Sequence, residues 1–133
     1  MIIEKDLRNL FNQLVHRDTA RINLGGSDIL VKLYDQSSKI FLSTPVYIGD
    51  NYIPKSVRAC LLQKAPFDDR NLITHLSIDE NLFQITLNFQ GNVDHLDNQL
   101  FKDLLEEFNW LADEWRFFLD EHDKNDLVYV RHP

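Results

Sequence analysis

The strongest constraint in this chain is a run of apolar residues near its C-terminus. Leu100, Leu104, Phe108, Leu111, Trp115, Phe118 and Leu119 recur at steps of three and four. That period places them on one side of an α-helix and requires something apolar to cover them. The spacing predicts a helix over residues 98–121, about six turns, with Asp97 as its N-cap. A helix this long with a single greasy stripe cannot stand alone, so the rest of the chain must supply a surface for it.

That surface is legible as strands. Ala20, Ile22 and Leu24 alternate with polar residues, as do Ile29, Val31 and Leu33, and then Ile40, Leu42, Thr44 and Val46. Gly25-Gly26-Ser27-Asp28 and Gln36-Ser37-Ser38 supply the turns between them. Pro45 cannot donate to a ladder, so the third strand is expected at an edge or broken there. A second group pairs Leu72, Thr74, Leu76 and Ile78 with Phe83, Ile85, Leu87 and Phe89 across an Asp79-Glu80-Asn81 turn, and Gly91-Asn92 is read as the end of that hairpin.

Two shorter helices complete the pattern. Leu7, Leu10, Phe11, Leu14 and Val15 give an amphipathic helix over residues 4–16. Pro54 is well placed to open a helix running to Lys64, with Val57, Leu61 and Ala65 as its stripe and Pro66 beyond its end. Leu127 to Val130 is β-prone and is read as an extra strand or a mobile tail. The order is α-β-β-β-α-β-β-α: an α+β chain with a five-stranded antiparallel sheet, expected as one domain over residues 1–133. Leu30, Tyr34, Phe41, Tyr47 and Leu82 fall on the alternate faces of the strands, which leaves apolar surface for something else to cover.

Charge narrows the function classes. The chain carries a net charge of −7. Residues 97–126 hold ten acids and three bases, so this segment accounts for all of it. Such a surface repels phosphate and argues against direct nucleic-acid contact. It reads as a solvated face that keeps the protein soluble or as a surface for a basic partner. The lone Cys60 cannot form an internal disulfide, no stretch approaches the ~20 apolar residues of a membrane span, and Met1 to Asp6 has no basic-then-apolar leader pattern. Cytoplasmic residence is the expectation.

Catalytic chemistry finds little support. No Gly-rich phosphate loop occurs. His95 reads as loop, His16 and His122 as helix-end residues and His75 as a strand surface residue, without a converging set of metal ligands. Cys60 sits among Ala59, Leu61 and Leu62 and reads as a buried thiol rather than a nucleophile. Glu106-Glu107 and Asp113-Glu114 are helical neighbours that do not face one another. No cofactor is expected and no enzyme is indicated. Trp110 lies off the main stripe and is either an exposed contact anchor or a packing partner for the C-terminal tail.

Two segments carry a resemblance. Leu76-Ser77-Ile78-Asp79-Glu80-Asn81 running into Phe83-Gln84-Ile85-Thr86-Leu87 is similar to the hairpin of class I type III secretion chaperones. Leu104 to Trp115, with its Glu-Phe and Asp-Glu-Trp run, is similar to their last helix. The resemblance covers nearly the whole chain and reaches to chlamydial-type members. It implies a bacterial, cytoplasmic, non-enzymatic protein that binds an extended segment of a secreted effector or gatekeeper protein and keeps it soluble and secretion-competent. It implies a homodimer, or a heterodimer with a related chaperone, formed through Val57, Cys60, Leu61 and Leu62 with Leu72 and Leu76. The client segment would lie on Leu7, Leu10, Phe11, Leu30, Tyr34 and Phe41. Trp110, Asp113 and Glu114 form a candidate partner surface, and an alternative role is regulation of transcription by contact with RNA polymerase subunits through the acidic helix.

Overall fold

The computed structural model describes residues 4–36, 38–62, 72–92 and 98–130, and follows residues 124–130 as backbone. Asp97, His95, Lys64, Ala65 and Pro66 lie outside the described residues. The elements run α1 (Glu4–Arg17), β1 (Thr19–Leu24), β2 (Ser27–Tyr34), β3 (Lys39–Ile48), α2 (Lys55–Cys60), β4 (Thr74–Asp79), β5 (Gln84–Asn92) and α3 (Asn98–Val130). This is the expected α-β-β-β-α-β-β-α order. All strand pairings are antiparallel, in the spatial order β1-β2-β3-β5-β4, so β1 and β4 are the edges.

Local chemistry explains the joints. The β1–β2 hairpin turns on Gly25 and Gly26, both at positive φ, which suits a two-residue turn between twisted strands. At the β4–β5 turn the Asp79 carboxylate accepts from the backbone N–H groups of Asn81 and Leu82. Phe83 then takes φ 55° inside this turn, so β5 begins one residue later than its alternation suggests. Gly91 and Asn92 do not end the hairpin but finish β5 opposite Ile40 and Lys39.

Pro45 does not mark an edge. β3 lies between β2 and β5, and the register shifts between Pro45 and Tyr47. The last β2 pair is Leu30↔Ser43, so the missing N–H of Pro45 falls beyond that ladder, where a bulge absorbs it.

The core lies between one face of the sheet and the helices. Ile29, Val31, Leu42, Ile85 and Leu87 are fully buried beneath α3 residues Phe101, Leu105, Phe108, Leu111, Ala112 and Leu119. The buried stripe of α3 therefore starts at Phe101 and Leu105. Leu100 is 52% exposed and Leu104 only flanks the core. From Phe108 onward the stripe is the expected one. The helix also continues past residue 121. Leu127 to Val130 is helical rather than strand, and His122 sits inside the helix, its Nδ1 2.8 Å from the Phe118 carbonyl.

Polar ties fix α3 over the hairpins. Ser27 is 1% exposed, donates to Asn109 Oδ1 at 2.6 Å and receives Arg116 at 2.7 Å. Ser56 of α2 donates to the His122 carbonyl at 3.1 Å. Arg58 bonds the Ile53 carbonyl and pairs with Glu80 at 2.9 Å, joining α2 to the β4–β5 turn.

Candidate functional site

The features that stand out are surfaces rather than a catalytic constellation. A cleft of about 270 Å³ opens between α1 and the start of α3. Its walls are Phe11, Leu14 and Val15 from α1 and Phe101 from α3, and its floor includes Leu33 and Ile40. These last two are cross-strand partners on β2 and β3. The cleft exists because α1 packs mainly against β1 and reaches α3 through Phe11, whose ring lies 5.0 Å from that of Phe101. Val15 is 78% exposed at its rim. Its lining is almost entirely hydrocarbon, apart from Asp18. No β1 residue lines the cleft; Arg21, Ile22 and Asn23 of β1 line a separate groove with Asp6, Asn9, Leu10 and Gln13 on the other flank of α1, and among the described residues the outer edge of β1 has no strand partner.

Among the described residues no helix covers the opposite face of the sheet. Register puts Lys32, Phe41 and Gln90 in one row across it, and Leu30, Ser43, Asn88 and His75 in the next. Phe41 and Leu30 are half-buried there, and Tyr34 is exposed. Of the six residues expected to meet a client, Leu7 and Leu10 are buried beneath α1 and hold it to the sheet. Phe11 reaches the cleft, while Leu30, Tyr34 and Phe41 lie on the other face or at its margin. Leu14, Val15, Leu33, Ile40 and Phe101 complete the cleft. The sequence pattern marks Leu14, Val15, Leu33 and Ile40 only as stripe and strand residues and passes over Phe101, because periodicity shows which face is apolar and not where two apolar faces fail to close.

The residues expected at a dimer interface lie on and just after α2 and on the approach to and within β4. Val57 and Cys60 are buried, as is Leu72, whereas Leu61 and Leu76 are partly covered. Leu62 and Ile73 are largely exposed, at 92% and 82%. Cys60 donates to the Ser56 carbonyl, and burial raises its thiol pKa above the ordinary value, so the thiolate is disfavoured.

A third region is the solvent face of α3. Trp110 and Phe117 are both exposed there, and Asp113 pairs with Arg116. Glu114 lies on the same helix between them. Among the described residues no group of three or more His, Cys, Asp and Glu side chains could hold a metal ion, and no helix is long and apolar enough to cross a membrane.

Known structures share this arrangement. The ExsC–ExsE complex contains a chain that matches with a TM-score of 0.62 at 16% identity, over 86% of this chain and 93% of that one. This chain has a class I type III secretion chaperone-like fold. The heterodimeric ExoU–SpcU complex from the type III secretion system of Pseudomonas aeruginosa matches with a TM-score of 0.57 at 15% identity, over 86% and 95%. The HopA1–SchA chaperone–effector complex also gives 0.57 at 15% identity, over 87% and 98%. No protein-family model matches the sequence, and no curated protein matches it significantly. The fold is thus carried by pattern, with few residues in common.

Proposed function

We propose that this protein is a non-enzymatic type III secretion chaperone of the bacterial cytoplasm that binds an extended, unfolded segment of a secreted effector or gatekeeper protein. The observation that carries this reading is the apolar cleft between α1 and α3, with the unpaired outer edge of β1 on the other flank of α1, in a fold shared with a chain of a chaperone–effector complex. An unfolded segment can add its backbone to a strand edge and place apolar side chains in a neighbouring groove. Phe11, Leu14, Val15, Leu33, Ile40 and Phe101 would take those side chains. The half-buried Leu30 and Phe41 and the exposed Tyr34 extend the apolar surface onto the other face, where a segment passing around β1 would reach it. The acidic α3 would keep the loaded protein soluble.

The exposed Leu62 and Ile73 support a dimer through α2 and β4, with a second copy or a related chaperone. Val57, Cys60 and Leu72 would stiffen that surface from below, and Leu61 and Leu76 would border it. The test is direct binding. Peptides tiling the N-terminal regions of the secreted proteins of the source bacterium are titrated against the purified chain. A tile that is unstructured alone should bind, and Phe11→Asp or Val15→Asp should abolish its binding without unfolding the protein. Binding by no tile, or equal binding by the two variants, would defeat this reading.

A further inference from the structure

The solvent face of α3 has a composition that its packing does not explain. Trp110 is 48% exposed and Phe117 is 68% exposed. They stand seven residues apart, two turns and about 10.5 Å along one line of the helix. Helical geometry sets that line opposite the buried stripe of Phe101, Leu105, Phe108, Ala112, Trp115 and Leu119. Two large aromatic side chains thus occupy the middle of a face where helices ordinarily carry polar residues. Around them the same helix presents Asp103, Glu106, Asp113, Glu114 and Glu121.

A cleft continues this face toward the sheet. It measures about 360 Å³ and lies between Phe117 and the β3 bulge, with Ile48 and Tyr47 on its far side. Asp120 and Asp123 bring two carboxylates to it, with Arg116 as the one base in its lining. Arg116 is already engaged by Ser27 and Asp113. Tyr47 donates to Asp123 at 3.2 Å, which leaves the other carboxylate oxygen outside that bond. Ile48, 68% exposed, adds an apolar rim.

The geometry points to a second docking surface, separate from the α1 cleft, that takes a cationic amphipathic helix of a partner protein. Anchors one heptad apart match the spacing at which a facing helix presents its own apolar residues. Exposed Trp and Phe are side chains suited to carry such a contact. The carboxylates on both sides select Lys and Arg at the flanking positions, and the cleft beside Phe117 receives one such side chain between an aromatic ring and Asp120. A second copy of α3 carries the same negative charge, so this face disfavours pairing with itself.

The experiment uses the full chain and a synthetic amphipathic helix of about five turns, with Leu along one seam and Lys and Arg elsewhere. Isothermal titration is run against this peptide, a scrambled peptide of the same composition and a version with Glu in place of every base. The seamed cationic peptide should bind best, and its affinity should fall as salt is raised. Trp110→Ala and Phe117→Ala should each weaken it roughly tenfold, and Asp120→Asn should weaken it less. Circular dichroism reports whether each variant is folded, and the comparison among peptides needs no variant. Equal affinity for the scrambled peptide would reduce the effect to unspecific charge and overturn the proposal. So would binding of the acidic peptide, or unchanged binding by folded Trp110→Ala and Phe117→Ala. If those substitutions instead turned a dimer into a monomer, the occupant would be a second copy and the proposal would fall.

Discussion

Phe101 tests how the α1 cleft is built. It is fully buried, lies at the start of the α3 stripe and meets Phe11 with ring centroids 5.0 Å apart at 59°. Removing a buried Phe side chain costs about 3–5 kcal/mol through lost transfer energy and the cavity left behind. Here the new space merges with a cleft that already exists, so water and neighbours can enter it, and the low end of that range, about 3 kcal/mol, applies. For a chain of this length that corresponds to a fall in Tm of roughly 10 °C. Phe101→Leu keeps most of the volume and should cost only about 1 kcal/mol. The aromatic contact itself is read by a cycle with Phe11→Ala, and the double variant should lose about 1 kcal/mol less than the two single losses combined. Urea unfolding at fixed protein concentration measures the unmodified chain and all four variants. A loss below about 1 kcal/mol for Phe101→Ala, or strict additivity with Phe11→Ala, would refute this description of the cleft wall.

Four other substitutions probe the frame that holds the surfaces in place. Ser27→Ala removes the hydroxyl that joins Asn109 and Arg116 to the β1–β2 turn, and it should cost about 1–3 kcal/mol by urea unfolding, because Asn109 and Arg116 lose their common partner. Gly49→Ala should be the more damaging of two glycine changes: its Cβ would overlap the Tyr52 carbonyl oxygen, whereas a Cβ at Gly26 meets nothing within 4 Å and suffers only the strain of φ 94°. Thermal melts of the two variants give that ranking directly. Burial, and then the Asp123 carboxylate, raise the Tyr47 pKa above its usual value. The folded state therefore holds this proton more tightly than the unfolded chain, so stability falls as pH rises above about 10. Tyr47→Phe should flatten that alkaline decline in a series of melts across pH, and an unchanged slope would show that Tyr47 does not titrate with folding.

The sequence revealed more of the architecture than of the surfaces. Element order and strand pairing were legible because the alternation in residues 20–46 and 72–89 and the 3.6-residue period of α3 are both strong. The errors arose where two signals overlapped. Leu100 and Leu104 fit the α3 period as well as Phe101 and Leu105 do, and only the seat against the sheet decides between them. Leu127 to Val130 is β-prone by composition, yet it continues a helix already propagated for more than seven turns, where each added residue needs no new nucleus. Pro45 signalled a break in pairing but not its kind, since a bulge inside a central strand answers the same chemistry as an edge. The cleft could not be read from sequence, because it depends on the gap between α1 and α3 rather than on any residue pattern. The exposed Trp110 was legible as a residue off its stripe, whereas its partner Phe117, next to the stripe residue Phe118, was hidden by that neighbour.

The central claim is that the α1 cleft and the β1 edge hold an unfolded client. Amide hydrogen exchange, compared with and without a bound tile, tests it most directly. The predicted result is slowed exchange in Glu4–Arg17 and Thr19–Leu24 together with protection of the tile itself, and loss of both with Phe11→Asp. Protection confined to α3 or to the α2–β4 surface, with α1 and β1 exchanging as in the free protein, would contradict the account.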